Sequence, residues 1–312
     1  MKHPVEEAQR EEHPDKAASS RKRKQRRIIR LLVIMVALAL ASLVGAYLFN
    51  NVSLMSDDGF SARLDESIEQ AYQWLTTNRD QLQINIALYR MLQDADRLHA
   101  DPLFEQLVGQ ILQQELFENN SWKLLLDPSR DFSAFNLNRL IEAESHYIDN
   151  QWILYALAPQ RARLPAAAKE GLFDTEKYRH RQLTHQLWAL IHLRAYHGGD
   201  DQLDSTIKLL CERMSTIQAR SLPTVDIYLQ RPAFILMAGH PELVRRRWIE
   251  RVMAAQLPDG GWNDKWLCFS SGSRRPNFNI DASSNAHASV QGLWLLWQVK
   301  YRYPEKFGLN SH

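Results

Sequence analysis

The chain has 312 residues, of which 45% are hydrophobic and 24% charged, values within the range of ordinary globular proteins. Its net charge of +2 is unevenly divided: residues 1–30 carry 10 Lys and Arg against 5 Asp and Glu, and the remaining residues carry 28 against 31. A folded part with a slight negative charge argues against a nucleic-acid-binding surface spread over it.

The first predicted elements are a charged tail and an apolar segment. Residues 1–27 are rich in Glu, Lys, Arg and Ser, a composition that predicts a disordered tail. No charged residue occurs from Leu31 to Phe49, a run long enough for the ~30 Å hydrocarbon core of a bilayer. We therefore predict a transmembrane anchor over residues 28–49, with membrane lipid as its partner. The basic residues before it predict a cytoplasmic N-terminus and an extracytoplasmic domain on a bacterial-type inner membrane.

A cleavable signal peptide is the alternative interpretation of the same segment. Ala39-Leu40-Ala41 has the small-x-small pattern of a cleavage site. The apolar run is longer than the roughly 7–15 residues of a signal-peptide core, which favours a retained anchor. Residues 50–60 are predicted to form a linker, and residues 61–305 the folded domain.

Beyond the linker, apolar residues recur with the period of an α-helix, and alternating strand patterns are nearly absent. Short breaks such as Asp101-Pro102 favour antiparallel helix pairs. The repeat Leu-Trp-x-Leu, at Leu187 and again at Leu293, suggests helix pairs that share a core. The predicted helices cover residues 61–78, 83–99, 102–117, 134–157, 176–197, 202–219, 223–238, 241–256 and 284–302.

The stretch RRWIERVMAAQLPDGGW, residues 246–262, combines an aromatic-aliphatic pair in a helix, a glutamine near the helix end, and a Gly-Gly-Trp turn. It resembles the Gln-Trp repeat of the terpenoid cyclase and protein prenyltransferase superfamily. The resemblance implies an all-α fold, an α/α toroid or partial toroid of helix hairpins, which often has a central cavity. The glutamine would bond the loop backbone, the glycines allow a left-handed turn, and the last tryptophan packs on a neighbouring hairpin. The matching residues are Trp248, Ile249, Gln256, Gly260, Gly261 and Trp262.

The resemblance also raises the question of metals. Prenyltransferases bind zinc through Asp, Cys and His, and the similar residues here are Asp264, Cys268 and His287. Their spacing differs from that of the family, so we predict no metal site and keep zinc as an alternative. Asp200–Asp204 matches the Asp-Asp-x-x-Asp pattern of isoprenoid synthases, but it opens a helix, where Asp residues serve as caps. No cofactor is predicted.

Five residues are candidates for a catalytic role, with a structural hydrogen bond as the alternative for each. Glu144 lies in an apolar stripe of the predicted helix 134–157, where burial would raise a carboxyl pKa as a general acid requires. His185 is placed to face a cavity, and a charge in the apolar helix 223–238 needs a partner. The candidates are Glu144, His185, Asp226, Tyr228 and His287.

Four further residues are candidates for ligand binding. Arg231 either pairs with Asp226 or bonds neighbouring helices. The polar stretch 270–287 is long for a hairpin connection, and loops of that length are often functional. Its candidates for an anionic group are Arg274, Arg275 and Asp281.

The two cysteines, Cys211 and Cys268, are compatible with a disulfide in an exported domain. Cys211 lies in an apolar helix, where a buried free thiol is the alternative, and the sequence leaves the pairing open.

The leading functional hypothesis is a membrane-anchored extracytoplasmic toroid that binds a ligand in its central groove, with hydrolase or lyase activity on envelope glycan. One alternative is a non-catalytic scaffold that binds another envelope protein. A further alternative is an isoprenoid or prenyl transferase. The sequence leaves open whether the protein is an enzyme, and no nucleic acid is expected as a partner.

Overall fold

The protein forms two compact units, residues 1–49 and residues 50–312. A computed structural model describes residues 14–83, 85–114, 121–127, 136–222, 224, 226–263 and 283–309, with side chains from residue 28 onward. Every regular element in these ranges is helical and none is a β-strand, so the predicted all-α class is confirmed.

Helix α1 spans Pro14–Asn51. Its part Ile28–Asn51 is long and apolar enough to cross a membrane, and no other helix of the described ranges is; a signal sequence near the N-terminus would meet the same criterion. The helix begins inside the tail that was predicted to be disordered, in a stretch rich in the strong helix formers Ala, Lys and Arg.

Eleven further α-helices lie in the second unit, within the described residues. The first begins at Asp57, inside the predicted linker, because the Ser56 side chain caps it by accepting a hydrogen bond from the amide of Gly59. The helices are α2 (Asp57–Thr77), α3 (Ile86–Leu98), α4 (Pro102–Gln113), α5 (Leu137–Ala143), α6 (Ile148–Leu157), α7 (Ala166–Phe173), α8 (His180–His197), α9 (Asp201–Arg220), α10 (Asp226–Ala238), α11 (Arg246–Ala254) and α12 (Ala286–Tyr301).

The single helix predicted over residues 134–157 is wrong, because a turn over residues 144–146 separates α5 from α6. Ser145 and His146 have low helix propensity and permit this break. Glu144 therefore lies at the end of α5 and not in a continuous apolar stripe. Helix α7 was not predicted.

Contacts between the elements of the second unit follow a cycle. Helix α3 contacts a short 3-10 helix at Ser121–Leu125, which contacts α6; from there contacts run through α8, α10 and α12 back to α3. The remaining helices contact the members of this cycle or each other. Helices α10 and α12 are buried on nearly all sides, as expected for helices surrounded by others.

The turn after α11 joins three helices. The Gln256 side chain donates to the carbonyl of Gly260 and to that of Ser67 on α2, both at 2.8 Å. Gly260 has φ +90°, and a Cβ there would collide with the Gln70 carbonyl of α2. Trp262 is buried, donates to the Val252 carbonyl at 2.8 Å, and packs so closely on Gly292 that a Cβ at that glycine would lie 2.6 Å from its ring. The turn thus ties α11 to α2 and α12.

Candidate functional site

A cavity of about 820 Å³ lies between α3, α6, α8 and the 3-10 helix. The start of α3 and residues up to the middle of α6 and α8 border it. This volume is in the range of pockets that hold small ligands. The lining residues are Gln83, Asn85, Ile86, Ala87, Trp122, Leu125, Asn150, Ile153, His185 and Trp188.

The polar residues that the structure describes in this lining are uncharged. Three amide side chains and one imidazole supply its hydrogen-bonding groups, and two tryptophans supply aromatic surface. Gln83 adopts φ +46°, a backbone conformation that non-glycine residues seldom take, and such residues concentrate at binding and catalytic sites.

His185 has a defined orientation at this cavity. Its Nδ1 lies 2.9 Å from the Arg181 carbonyl oxygen, which can only accept, so Nδ1 carries the hydrogen. Burial lowers the pKa of His185, with a smaller contribution from the charge of Arg181. The neutral ring therefore has Nε2 as its acceptor.

Asp226 and His287 meet at the N-terminal ends of α10 and α12. The Asp226 carboxylate lies 3.9 Å from His287 Nδ1, and both side chains are partly exposed. Gln291, one turn along α12, has its amide nitrogen 3.0 Å from His287 Nε2. His287 is close enough to His185 for its charge to contribute to lowering the pKa of that residue.

Glu144 contributes indirectly. Its carboxylate accepts a hydrogen bond at 2.8 Å from Asn150, which lines the cavity. The buried carboxylate of Asp149, also in the first turn of α6, pairs with Arg181 at 2.8 Å. Four predicted candidates, Glu144, His185, Asp226 and His287, thus lie at or next to one end of the helix cycle.

Tyr228 and Arg231 belong to a different group, which we call the Asn50 cluster: Asn50, Gln218, Tyr228, Arg231 and Arg251. The Tyr228 hydroxyl donates to Asn50 Oδ1 at 2.7 Å, and Arg231 donates to Gln218 Oε1 at 3.2 Å. Burial raises the pKa of Tyr228 to about 12 and lowers the pKa of Arg231 to about 10. Neither of these two residues lines the cavity.

Several predicted residues lie outside the described ranges: Asp264, Cys268, Arg274, Arg275 and Asp281. Within those ranges no group of three or more His, Cys, Asp or Glu residues could hold a metal ion. Cys211 is a buried free thiol whose pKa is raised by burial.

Sequence reasoning missed most of the lining. The Leu-Trp repeat predicts a core position for Trp188, which is confirmed, but gives no sign that this residue also borders the cavity. The sequence assigns no role to Gln83, Asn85, Trp122 and Asn150. The available signal was positional, because the two asparagines stand at or within three residues of helix starts, where side chains project toward the end of a helix pair.

Comparison with known proteins adds no relative, since no family model, no curated protein and no solved structure matches the chain.

Proposed function

We propose that residues 50–312 form an α/α toroid, as the resemblance of residues 246–262 to the terpenoid cyclase and protein prenyltransferase superfamily implies. The cyclic order of contacts through α3, α6, α8, α10 and α12 supports this arrangement. The meeting of Asp226 and His287 at the N-terminal ends of α10 and α12 also supports it, because the inner helices of such a ring run parallel to one another.

The toroid is anchored by α1 in the inner membrane, with the N-terminus in the cytoplasm and the toroid in the periplasm. The length of the apolar stretch Ile28–Asn51 and the basic residues before it support this topology. Alkaline extraction of membranes would release a cleaved domain and retain an anchored one. Ala167→Cys places a cysteine at an exposed position of the toroid. In cells whose outer membrane has been opened, this cysteine should react with a membrane-impermeant thiol reagent.

The toroid binds a ligand in its cavity, and the envelope glycan next to the membrane is the ligand class that this location makes available. The observation that carries this proposal is the cavity of about 820 Å³, with its uncharged polar groups and two tryptophans.

A second candidate is that the toroid also acts on its ligand as a hydrolase or lyase. The observation that favours it is His185, whose Nε2 is held as an acceptor at the cavity, with the Asp226–His287 pair close by. Isoprenoid transfer stays a prediction from the sequence, because its candidate zinc ligands Asp264 and Cys268 lie outside the described ranges.

The test fills the cavity. Ala87→Trp should abolish binding of soluble fragments of the envelope glycan to the full-length protein, as measured by native mass spectrometry. Ala167→Trp, at an exposed position on α7, is the control of equal size. Circular dichroism and thermal melting establish that both variants are folded. If a folded Ala87→Trp variant binds as the unsubstituted protein does, the cavity is not the ligand site and the scaffold hypothesis takes its place.

A further inference from the structure

We propose that the cavity selects an uncharged sugar unit, which it recognises through hydroxyl groups and through the apolar face of the sugar ring. This inference rests on the proposed function and narrows its ligand from any glycan to the neutral saccharide class.

The absence of charge in the lining is the first argument. Gln83, Asn85 and Asn150 are amides, and the half-buried His185 has a lowered pKa that favours its neutral form, so no described lining residue carries a formal charge to select an ionic ligand. Helix N-termini attract anions. Among the helices that line the cavity, α6 already has a carboxylate in its first turn, Asp149.

Hydrogen-bonding capacity is the second argument. A sugar hydroxyl both donates and accepts, and an amide side chain offers both complementary groups. His185 adds an acceptor, because its Nδ1 hydrogen is held by the Arg181 carbonyl. A ligand that only donates or only accepts would use only part of this set, whereas sugar hydroxyls can use both its donors and its acceptors.

Aromatic surface is the third argument. Trp122 is half-buried, so part of its surface is open to a ligand, and Trp188 lies farther in. The indole N–H of Trp188 is buried without a hydrogen-bond acceptor among the described residues. Buried polar groups normally have a partner, and a bound ligand or water would supply one. Aromatic side chains with adjacent polar groups suit ligands that have apolar and polar faces, as sugar rings do.

The experiment measures binding of defined oligosaccharides to the full-length protein in a detergent without a sugar headgroup. Chitotriose and maltotriose are the neutral probes, and trigalacturonate is the anionic probe of similar size. Isothermal titration should give a Kd for at least one neutral probe that is at least tenfold lower than that for trigalacturonate. Equal or tighter binding of trigalacturonate, or no binding of either neutral probe, would overturn the inference.

Substitutions locate the binding. Trp122→Ala should weaken binding of the neutral probe at least tenfold. Trp122→Phe, which keeps an aromatic face, should weaken this binding less than threefold. Asn150→Asp adds a negative charge with little change in size, and it should weaken binding of the neutral probe about as much as Trp122→Ala does. Gln81→Ala, an exposed amide outside the cavity, should leave it unchanged. A neutral probe that binds all four variants equally binds elsewhere and contradicts the inference.

A separate measurement distinguishes failure of this inference from failure of the proposed function. Ala87→Cys, in a Cys268→Ser background, should react with a small uncharged maleimide if the cavity is open. The remaining cysteine, Cys211, is buried and should not compete for the label. Labelling without sugar binding would show that the cavity is accessible and that the inferred saccharide specificity is wrong. An unreactive cysteine at position 87 would show that the cavity is closed to small molecules, which contradicts the proposed function as well.

Discussion

Helix α10 contributes to two polar clusters that differ in how completely their groups are bonded. In the Asn50 cluster, Asn50 is fully buried, and its side-chain amide donates to the carbonyls of Gln218 and Ala219 at 2.8 and 3.0 Å. Its oxygen accepts from Tyr228 and from Arg251. At the cavity end, Asp226 and His287 are partly exposed and 3.9 Å apart. The hydrogen-bonding groups of Asn50 are used within the protein, as expected for a structural role. Asp226 and His287 keep exposed polar atoms that can bind a ligand.

Asn50→Ala should have the largest effect on stability. It removes four hydrogen bonds of a fully buried side chain, so we expect a loss of about 3 kcal/mol in the free energy of unfolding. The partners keep other bonds: Arg251 still donates to the Tyr228 hydroxyl, and Asn51 and the Ser221 amide still donate to the two carbonyls. Urea unfolding followed by tryptophan fluorescence measures it. Asn85→Ala, an exposed asparagine at the cavity, should change the same quantity by less than about 0.5 kcal/mol. Equal losses in the two variants would break the comparison.

The acid dependence of stability should come next. His192 on α8 is buried, and neither of its ring nitrogens is bonded to a described residue. Burial holds its pKa well below the ordinary value, helped by the charges of Arg90 and Arg97. The unfolded chain binds a proton at a pH of about 6.5, whereas the folded protein resists it, so stability should fall as the pH drops below that value.

His192→Phe should therefore flatten the acid side of the stability curve, because the titrating group is gone while the stacking on Tyr196 at 5.6 Å is kept. Thermal melting between pH 5 and pH 7.5 measures the difference between the two proteins. His197→Phe, at an exposed position on the same helix, is the control. A wild-type slope in His192→Phe would assign the acid sensitivity to other groups.

Tyr228→Phe sharpens the comparison within one cluster. It deletes one hydroxyl while Arg251 still donates to Asn50 Oδ1, so the expected loss is about 1 kcal/mol in the free energy of unfolding. Sugar binding should be unchanged in the same preparation. A folded Tyr228→Phe variant that no longer binds the ligand would return Tyr228 to the catalytic candidates.

His185→Phe should have the smallest effect on stability and a large effect on binding. The half-buried imidazole bonds only local groups, the Arg181 carbonyl at 2.9 Å and the Thr184 hydroxyl at 3.4 Å, and we expect a change below about 0.5 kcal/mol in the free energy of unfolding. Loss of the Nε2 acceptor should weaken binding of the neutral probe about tenfold, which corresponds to the loss of one hydrogen bond in a pocket. Titration calorimetry and urea unfolding on one sample separate the two effects. Unchanged binding would remove His185 from the site.

Helical periodicity and composition predicted the all-α class and the apolar N-terminal helix, because both are local properties of the chain. The cavity lining depends on which helix ends meet, and no local pattern encodes that. Asn150 and Trp122 are separated by 28 residues and share the cavity only through the contacts of α6 with the 3-10 helix. The break at Glu144 was missed because Ile141, Ile148 and Trp152 imitate a continuous helix face.

Asn50 also bears on processing of the N-terminal segment. Cleavage after Ala41 would leave Asn50 and its partners in the released product, so a shed domain would keep this part of its core. An expression boundary drawn at residue 55, after the predicted linker has begun, would delete a fully buried side chain. Position 50 therefore marks where the folding unit begins, whether the chain stays in the bilayer or leaves it.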